Sequence, residues 1–181
     1  TGFGVEKAKG FDQPDLKEFF QWGQFHAHGQ VYADNVEVAE WPQLIAEVRE
    51  AFELLEYTGR QLLKAIALYL GLDENWFEPY VLGGNSILRA LHYPPITQAP
   101  NDAVRAAAHE DINLITLLMG ASADGLELLS ASGDWIPVHV EDSHLVINVG
   151  DMLQRLTNNN LRSTTHRVVN PPVAKWDIPR F

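Results

Sequence analysis

Two imidazoles and one carboxylate are the side chains that most constrain this chain. His109 and Asp111 flank Glu110 directly before the apolar run 112–119, and His166 opens a second strand-like segment after a polar turn. Imidazole nitrogen and carboxylate oxygen are ligands that suit a divalent transition metal. Three such ligands leave roughly half of an octahedral coordination sphere open. A chain that brings these three side chains together can therefore present a metal with vacant positions.

The spacing of His109 and Asp111 predicts a β-strand. On a strand, residues two apart point to the same face, so both side chains can reach one ion while Glu110 points away. On a helix they would diverge by about 200°, because one turn holds about 3.6 residues. The apolar run favours a buried strand over residues 109–119, although periodicity alone also allows a short buried helix. His166 then has to come from another strand, and the set matches the facial triad of non-haem Fe(II) oxygenases.

The composition excludes several other kinds of site. The chain has 181 residues, which is enough for one domain with a sizeable core. It contains no cysteine, so disulfides, thiolate metal sites, iron–sulfur clusters and thiol nucleophiles are excluded. A formal net charge of -11 disfavours binding to nucleic acid or to an anionic membrane surface. No apolar stretch approaches about 18 residues, so no transmembrane helix is expected, and the composition is compatible with a cytoplasmic location.

The periodicity divides the chain into a helical first part and a strand-rich second part. Residues 41–70 have the pattern of an amphipathic helix that stops at Gly71. A short second helix is expected over residues 73–77, with Asp73 as its N-cap. From residue 85, short apolar runs alternate with turn residues, which is typical of a sandwich or barrel. The predicted strands are 86–93, 114–119, 126–129, 135–140, 145–149 and 163–169.

Four ordered motifs resemble those of one known family. They are ILRALHYPP at 87–95, AHED at 108–111, VGDMLQRLTN at 149–158 and STTHRV at 163–168. All four are similar to motifs of the isopenicillin N synthase-like, 2-oxoglutarate-dependent oxygenases, and together they cover roughly residues 85 to 181. The resemblance implies a mainly β fold with flanking helices. It is a double-stranded β-helix, or jelly roll, with the long helix packed outside the barrel.

The resemblance also implies roles for five residues. His109, Asp111 and His166 are expected to hold Fe(II). The sequence interval between His166 and Arg180 matches the interval to the family's arginine, which holds the far carboxylate of 2-oxoglutarate. Tyr93 matches a tyrosine of the family that often contacts this co-substrate. A guanidinium can donate two parallel hydrogen bonds to a carboxylate. A phenol can donate one.

The expected activity is that of a 2-oxoglutarate-dependent dioxygenase. Such an enzyme uses Fe(II), 2-oxoglutarate and O2, with ascorbate as an optional reductant. It oxidises a small molecule, commonly by hydroxylation, and releases succinate and CO2. Two alternatives stay open: a 2-oxoglutarate-independent Fe(II) oxidase of the same family, and a non-catalytic metal-binding or truncated paralogue. Arg180 argues against the first, and an open coordination sphere argues against a structural metal site.

The resemblance predicts the organisation of the chain as well. Residues 1–84 are expected to be a partial N-terminal region with the long helix, and residues 85–181 the jelly-roll core, within one structural domain. The family's serine two residues after the arginine would follow Phe181, so the C-terminal end is expected to be incomplete, and the N-terminal region is shorter than usual. The remaining histidines without a metal-ligand partner at telling spacing are expected on the surface or in loops: His26, His28, His139 and His144.

Overall fold

Short strands and one long helix make up the secondary structure of the protein. The structure, a computed structural model, describes residues 1–8, 10, 12–25, 32–141 and 143–181. Within these residues the helices are α1 (Leu44–Tyr69), α2 (Glu78–Val81) and α3 (Asp151–Leu156), and a 3-10 turn covers Val173–Lys175. The strands are β1 (Glu18–Trp22), β2 (Leu88–His92), β3 (Ala106–His109), β4 (Ile115–Met119), β5 (Leu126–Leu129), β6 (Trp135–Pro137), β7 (Leu145–Val149) and β8 (His166–Val168).

The chain divides into two compact units. The first combines Thr1–Phe20 with Ala90–Phe181, and the second is Gln21–Arg89, which contains α1 and α2. The division at residue 84 that the sequence suggests stays a prediction. Among the helices of the described residues, none combines the length and the apolar character needed to cross a membrane.

Helix α1 confirms the strongest periodic pattern in the sequence. Its buried positions recur at steps of four and seven residues, so they line one face. At its C-terminus, Gly71 adopts a φ of 72°. The Gly71 N–H donates to Leu68 O at 3.0 Å, and the Leu72 N–H donates to Ala67 O at 2.9 Å. This pair of bonds is the Schellman motif, which explains why the helix stops where the glycine predicts. The buried positions are Val48, Phe52, Gly59, Leu63 and Ala67.

The short helix expected at residues 73–77 is wrong. Residues 74–77 form turns, and the helix begins only at Glu78. Asp73 Oδ1 accepts a hydrogen bond from the Asn75 N–H at 2.9 Å, which satisfies the backbone locally without a helix. Pro79 then stands in the first turn of α2, where its missing N–H costs nothing. A helix running from residue 73 through Pro79 would place the ring against the carbonyl four residues earlier.

The strands of the first unit confirm the jelly roll. One antiparallel sheet has the order β3-β8-β5-β6, while β4 pairs with β7 in a second, two-stranded sheet. Followed along the chain, the strands pass twice from the four-stranded sheet to the two-stranded sheet and back, at β4 and at β7, which is the crossing pattern of a double-stranded β-helix. The apolar residues Tyr93, Ala106, Leu126 and Val168 form a buried cluster inside this unit. Strands β1 and β2 form a further pair.

The strand that carries His109 is shorter than the sequence predicts. A continuous strand over residues 109–119 is wrong, because β3 ends at His109 and residues 110–114 form a loop before β4. Asp111 therefore lies outside any strand. Strand alternation therefore does not fix the direction of its carboxylate.

A register shift in β3 turns His109 inward. Ala106 pairs with Val168, and His109 pairs with His166, so the pairing slips by one residue between them. Residues two apart on β8 share a face, and directly paired residues also share a face. Ala106 and His109 consequently point the same way although they are three residues apart, as a β-bulge allows. Both point toward the side on which the buried cluster lies.

The segment at residues 15–17 is hydrogen-bonded to the start of β3 and to the residues just before it. Asp15 is 3% exposed, and its Oδ1 accepts a hydrogen bond from the Ala107 N–H at 3.0 Å. Its Oδ2 lies 2.8 Å from Nζ of Lys17, which is also buried. The neighbouring Leu16 N–H donates to Val104 O at 2.9 Å. Asp15 therefore satisfies both a backbone donor and a buried cation.

Asp15→Ala should destabilise the protein strongly. The change leaves the buried Ala107 N–H without its acceptor and the Lys17 ammonium with only Glu6 Oε2, 3.8 Å away. Breaking a buried ion pair from one side costs about 3 kcal/mol. The free energy of unfolding is measured from urea curves followed by circular dichroism. Asp12→Ala, at an exposed aspartate, is the matched control. Equal unfolding free energies for the two variants would contradict the role assigned to Asp15.

Candidate metal centre

The structure brings His109, Asp111 and His166 together. Each offers one ligand atom, and these atoms all lie within 4.8 Å of one another. His166 Nε2 is 3.8 Å from Asp111 Oδ1, and the two imidazole rings have centroids 4.4 Å apart at an interplanar angle of 52°. Neighbouring ligands with bonds of about 2.0–2.2 Å to one ion lie about 3 Å apart, so small side-chain movements would let these three atoms share an ion.

Backbone carbonyls orient both imidazoles. His109 Nδ1 lies 2.8 Å from Ala107 O, and His166 Nδ1 lies 3.1 Å from Thr164 O. A carbonyl oxygen only accepts, so each Nδ1 must carry the proton and donate it. The lone pair of each imidazole then resides on Nε2, toward the space that the three side chains share. No sequence signal reveals these partners, because any residue can supply a carbonyl.

The surroundings favour the forms of these side chains that bind a metal. Burial lowers the pKa of His109, an effect that the Ala107 carbonyl partly opposes and nearby His166 reinforces. His109 is therefore neutral near pH 7 and can donate its Nε2 lone pair. Asp111 Oδ2 is buried and has no hydrogen-bond partner within the described part of the chain. A buried carboxylate oxygen without a partner is costly, and a cation at this point would remove that cost.

The loop that carries Asp111 is held by the N-terminus of α3. The first N–H groups of a helix have no partner inside the helix. Here they donate to the carbonyls of the loop. The bonds are Gly150 N–H to Leu114 O at 2.9 Å, Asp151 N–H to Asp111 O at 2.8 Å and Met152 N–H to Ile112 O at 3.1 Å.

The motif at residues 149–158 thus contains both the start and the end of a helix. Asp151 begins helix α3, which the sequence analysis missed. Asn158 and Asn159 have φ of 50° and 63°, and Asn159 N–H donates to Gln154 O at 2.8 Å, which ends the helix. Asparagine tolerates left-handed backbone better than most residues, and here it serves as a helix stop. The helix is too short for apolar periodicity to reveal it.

Outside the triad, the neighbouring side chains face away from it. Glu110 accepts a hydrogen bond from the Thr165 hydroxyl, which links the two segments that carry the histidines. Arg167, which follows His166 on β8 and so points to the opposite face, pairs with Glu127 at 2.7 Å. His139 and His144 are exposed and pair with nearby acids, which confirms their expected surface positions. His26 and His28 lie outside the described residues.

Tyr93 and Arg180, the two expected co-substrate residues, lie side by side. Their backbones pair through Tyr93 N–H to Arg180 O at 2.8 Å and Arg180 N–H to Tyr93 O at 3.0 Å. The side chains are 3% and 5% exposed, and the guanidinium carbon lies 5.0 Å from the centre of the phenol ring. Arg180 Nε donates to Ala123 O at 2.9 Å. Burial raises the pKa of Tyr93, so its phenol stays protonated and able to donate.

A cavity of about 630 Å³ lies at the Arg180 end of the barrel. Its lining includes Arg180, Leu126, Val138 and Val169 but none of the three triad residues. The expected site residues therefore form two groups, the triad and the Tyr93–Arg180 pair. Val169 directly follows β8, whose first residue is His166, so this strand runs from the triad toward the cavity.

Comparison with known proteins identifies the family. Residues 84–181 match the pattern of the 2OG-Fe(II) oxygenase superfamily, which is more than half of the chain. The chain belongs to this superfamily. Its members use Fe(II) and 2-oxoglutarate, in agreement with the motif resemblance.

Curated relatives carry matching names. The chain is 31% identical to the 2-oxoglutarate-Fe(II) type oxidoreductase hxnY of Emericella nidulans, over 93% of this chain and 52% of that protein. It is 34% identical to the 2'-deoxymugineic-acid 2'-dioxygenase of Hordeum vulgare, over 80% of this chain and 43% of that protein. The chain thus spans about half the length of the curated relatives it matches.

Solved structures show the same fold. A protein of Caulobacter crescentus assigned to the 2OG-Fe(II) oxygenase family is 49% identical, with a TM-score of 0.86 over 99% of this chain and 59% of that chain. A full-length Neurospora crassa protein in complex with alpha-KG is 32% identical, with a TM-score of 0.83 over 92% of this chain and 53% of that chain. The jelly roll is therefore common to this chain and to both of these proteins.

Gly150→Ala should weaken the protein through the Asp111 loop. A Cβ at position 150 would overlap the backbone carbonyl and side-chain oxygen of Asn113. Backbone cannot yield as a flexible side chain does, so the loop must move, at a cost of about 1–3 kcal/mol. The unfolding free energy from denaturant curves measures this. Gly2→Ala, where a Cβ meets nothing within 4 Å, is the control. A Gly150→Ala protein as stable as this control would show that the close approach does not constrain the loop.

Proposed function

We propose that this chain is the core of an Fe(II)- and 2-oxoglutarate-dependent oxygenase that oxidises a small molecule. The observation that carries the proposal is the convergence of His109, Asp111 and His166, with ligand atoms within 4.8 Å of one another. Family membership supports the same chemistry. On this proposal, the oxygenase core is the region 85–181 that the motifs cover.

The triad would hold the iron with three protein ligands. The two Nε2 atoms and a carboxylate oxygen of Asp111 are the donors, and the unpartnered Oδ2 of Asp111 fits a cation there. Bound Fe(II) supplies activation of O2 coupled to the decarboxylation of 2-oxoglutarate to succinate and CO2. The chain's own part is to offer one face of ligands and leave the other face for co-substrate and O2.

Arg180 and Tyr93 would bind the far carboxylate of 2-oxoglutarate. Arg180 is buried, and none of the acidic side chains in the described ranges forms an ion pair with it. A buried guanidinium without a carboxylate partner favours an anionic ligand. This supports the 2-oxoglutarate-dependent activity over the oxidase that uses no co-substrate. Protonated Tyr93 can add a hydrogen bond to the same carboxylate.

The barrel interior would keep water from the reaction. Tyr93, Ala106, Leu126 and Val168 bury apolar surface on the face toward which His109 points. Removing water strengthens the electrostatic interactions inside a site and prevents side reactions. The side chains around the triad therefore act by holding the ligands in position and by excluding water.

A small molecule is the substrate that the relatives favour. The Neurospora crassa protein has also been solved with thymine, and the Hordeum vulgare relative is named for 2'-deoxymugineic acid. The formal net charge of -11 is unfavourable for nucleic acid, which supports a small-molecule substrate. Hydroxylation is the proposed outcome.

His109→Ala and Asp111→Ala should each abolish substrate-dependent succinate formation. Each change removes one of three metal ligands, and loss of a ligand in so open a site leaves too few bonds to retain the ion. Near-native circular dichroism is expected in both. His144→Ala, at an exposed histidine, is the control and should keep full activity. Retained turnover in both triad variants would remove the proposed metal role.

The proposal as a whole is tested by an anaerobic titration. Fe(II) and 2-oxoglutarate are added to the full-length protein, and the metal-to-ligand charge-transfer band of the chelate is followed. We expect one equivalent of each to saturate the band in the wild-type protein and no band in Asp111→Ala. A folded wild-type protein that gives no band would contradict the proposed function.

A further inference from the structure

Arg105 is a buried arginine for which the sequence predicts no role. It directly precedes β3 and is 1% exposed. Its Nη2 donates to Ile178 O at 2.9 Å, while its Nε has no hydrogen-bond partner among the residues that the structure describes. A guanidinium has five N–H donors in a fixed fork. One carbonyl leaves most of that capacity unused.

The charge of Arg105 is not balanced by an acid. No aspartate or glutamate in the described part of the chain pairs with it or with Arg180. The charged and polar groups that act on it most are Arg180 and Tyr93, and burial together with Arg180 lowers the pKa of Arg105. Two guanidinium groups buried near each other oppose folding unless an anion joins them.

Both arginines line the 630 Å³ cavity. Its lining holds the cationic Arg105, Lys175 and Arg180 against two acids, Asp124 and Glu127, and Glu127 already pairs with Arg167 at 2.7 Å. The uncompensated charge of the cavity wall is therefore positive. An arginine pair can hold a carboxylate with several parallel hydrogen bonds, which a lone lysine cannot do.

The strands connect this positive end to the triad. Arg105 lies four residues before His109, which is about 13 Å of extended chain. Because β3 and β8 are antiparallel, with Ala106 opposite Val168 and His109 opposite His166, the pair leads from the imidazoles toward the cavity. The imidazoles and Arg105 therefore belong to the same strand pair, and the arginine side chain covers part of the separation.

We propose that Arg105 and Arg180 together form the anion-binding end of the co-substrate pocket. This rests on the proposed function. The far carboxylate of 2-oxoglutarate is received by the two guanidinium groups that line the cavity. The pair gives the pocket its preference for 2-oxo acids with a second carboxylate over those without one.

The test compares two 2-oxo acids of equal chain length. Calorimetry of the full-length, Zn(II)-loaded protein measures the Kd of 2-oxoglutarate and of 2-oxovalerate, which lacks the far carboxylate. Arg105→Gln should weaken 2-oxoglutarate binding by about ten-fold to a hundred-fold, the range for a lost hydrogen bond to a charged group. It should leave 2-oxovalerate binding unchanged. Arg105→Lys should keep part of the preference, and Arg155→Gln, at an exposed arginine, should change neither Kd.

The outcomes separate the two proposals. Unchanged 2-oxoglutarate binding in Arg105→Gln, or an equal loss for both acids, overturns the role of Arg105 and leaves the proposed function standing. A wild-type protein that binds neither acid overturns both.

A measurement on the wild-type protein covers the case in which the variants do not fold. The Nε–H resonance of Arg105, assigned by triple-resonance NMR, should shift when 2-oxoglutarate is added to the Zn(II)-loaded protein and stay in place with 2-oxovalerate. The same response to both acids overturns the inference.

Discussion

The position of Asp111 depends on backbone hydrogen bonds between a loop and a helix end. A carboxylate on a strand would be placed by the pleat alone, but Asp111 follows the end of β3 and has no strand neighbours. The free N–H groups at the start of α3 bind the loop carbonyls instead. Gly150 makes this possible, because any side chain at that position would collide with Asn113. Asp111 reaches the two histidines only because the N–H groups at the start of α3 and the carbonyls of the loop form hydrogen bonds with each other.

The two histidines are positioned by a different device. Pairing of β3 with β8 sets them beside each other, and the register shift turns His109 to the inner face. Their Nδ1 protons are then committed to backbone carbonyls, so both Nε2 atoms are free. The triad thus joins a loop carboxylate to two strand imidazoles. In our proposal, the co-substrate binds along the same antiparallel strand pair, between the metal ligands and the buried arginines. The arginines make this pocket locally positive, although the chain has a net charge of -11.

Much of this architecture could be predicted from the types of residue in the sequence and from their spacing. The amphipathic face of α1, its stop at Gly71 and most strands could be predicted, because each depends on local periodicity or on a left-handed residue. The triad residues could be named from motif order. The prediction of one strand over residues 109–119 is wrong, because apolar character does not reveal that the chain leaves the sheet after His109. The carbonyls that orient the imidazoles and the burial of Arg105 depend on tertiary packing, which leaves no mark on neighbouring residues.

The central claim is that His109, Asp111 and His166 share one ion and leave part of its sphere open. Anaerobic crystals of the full-length protein with Fe(II), measured above and below the iron absorption edge, test it most directly. The account predicts a single anomalous peak about 2 Å from both Nε2 atoms and from a carboxylate oxygen of Asp111, with the opposite face free of protein ligands. A peak elsewhere, or an ion enclosed by a fourth protein side chain, would contradict it.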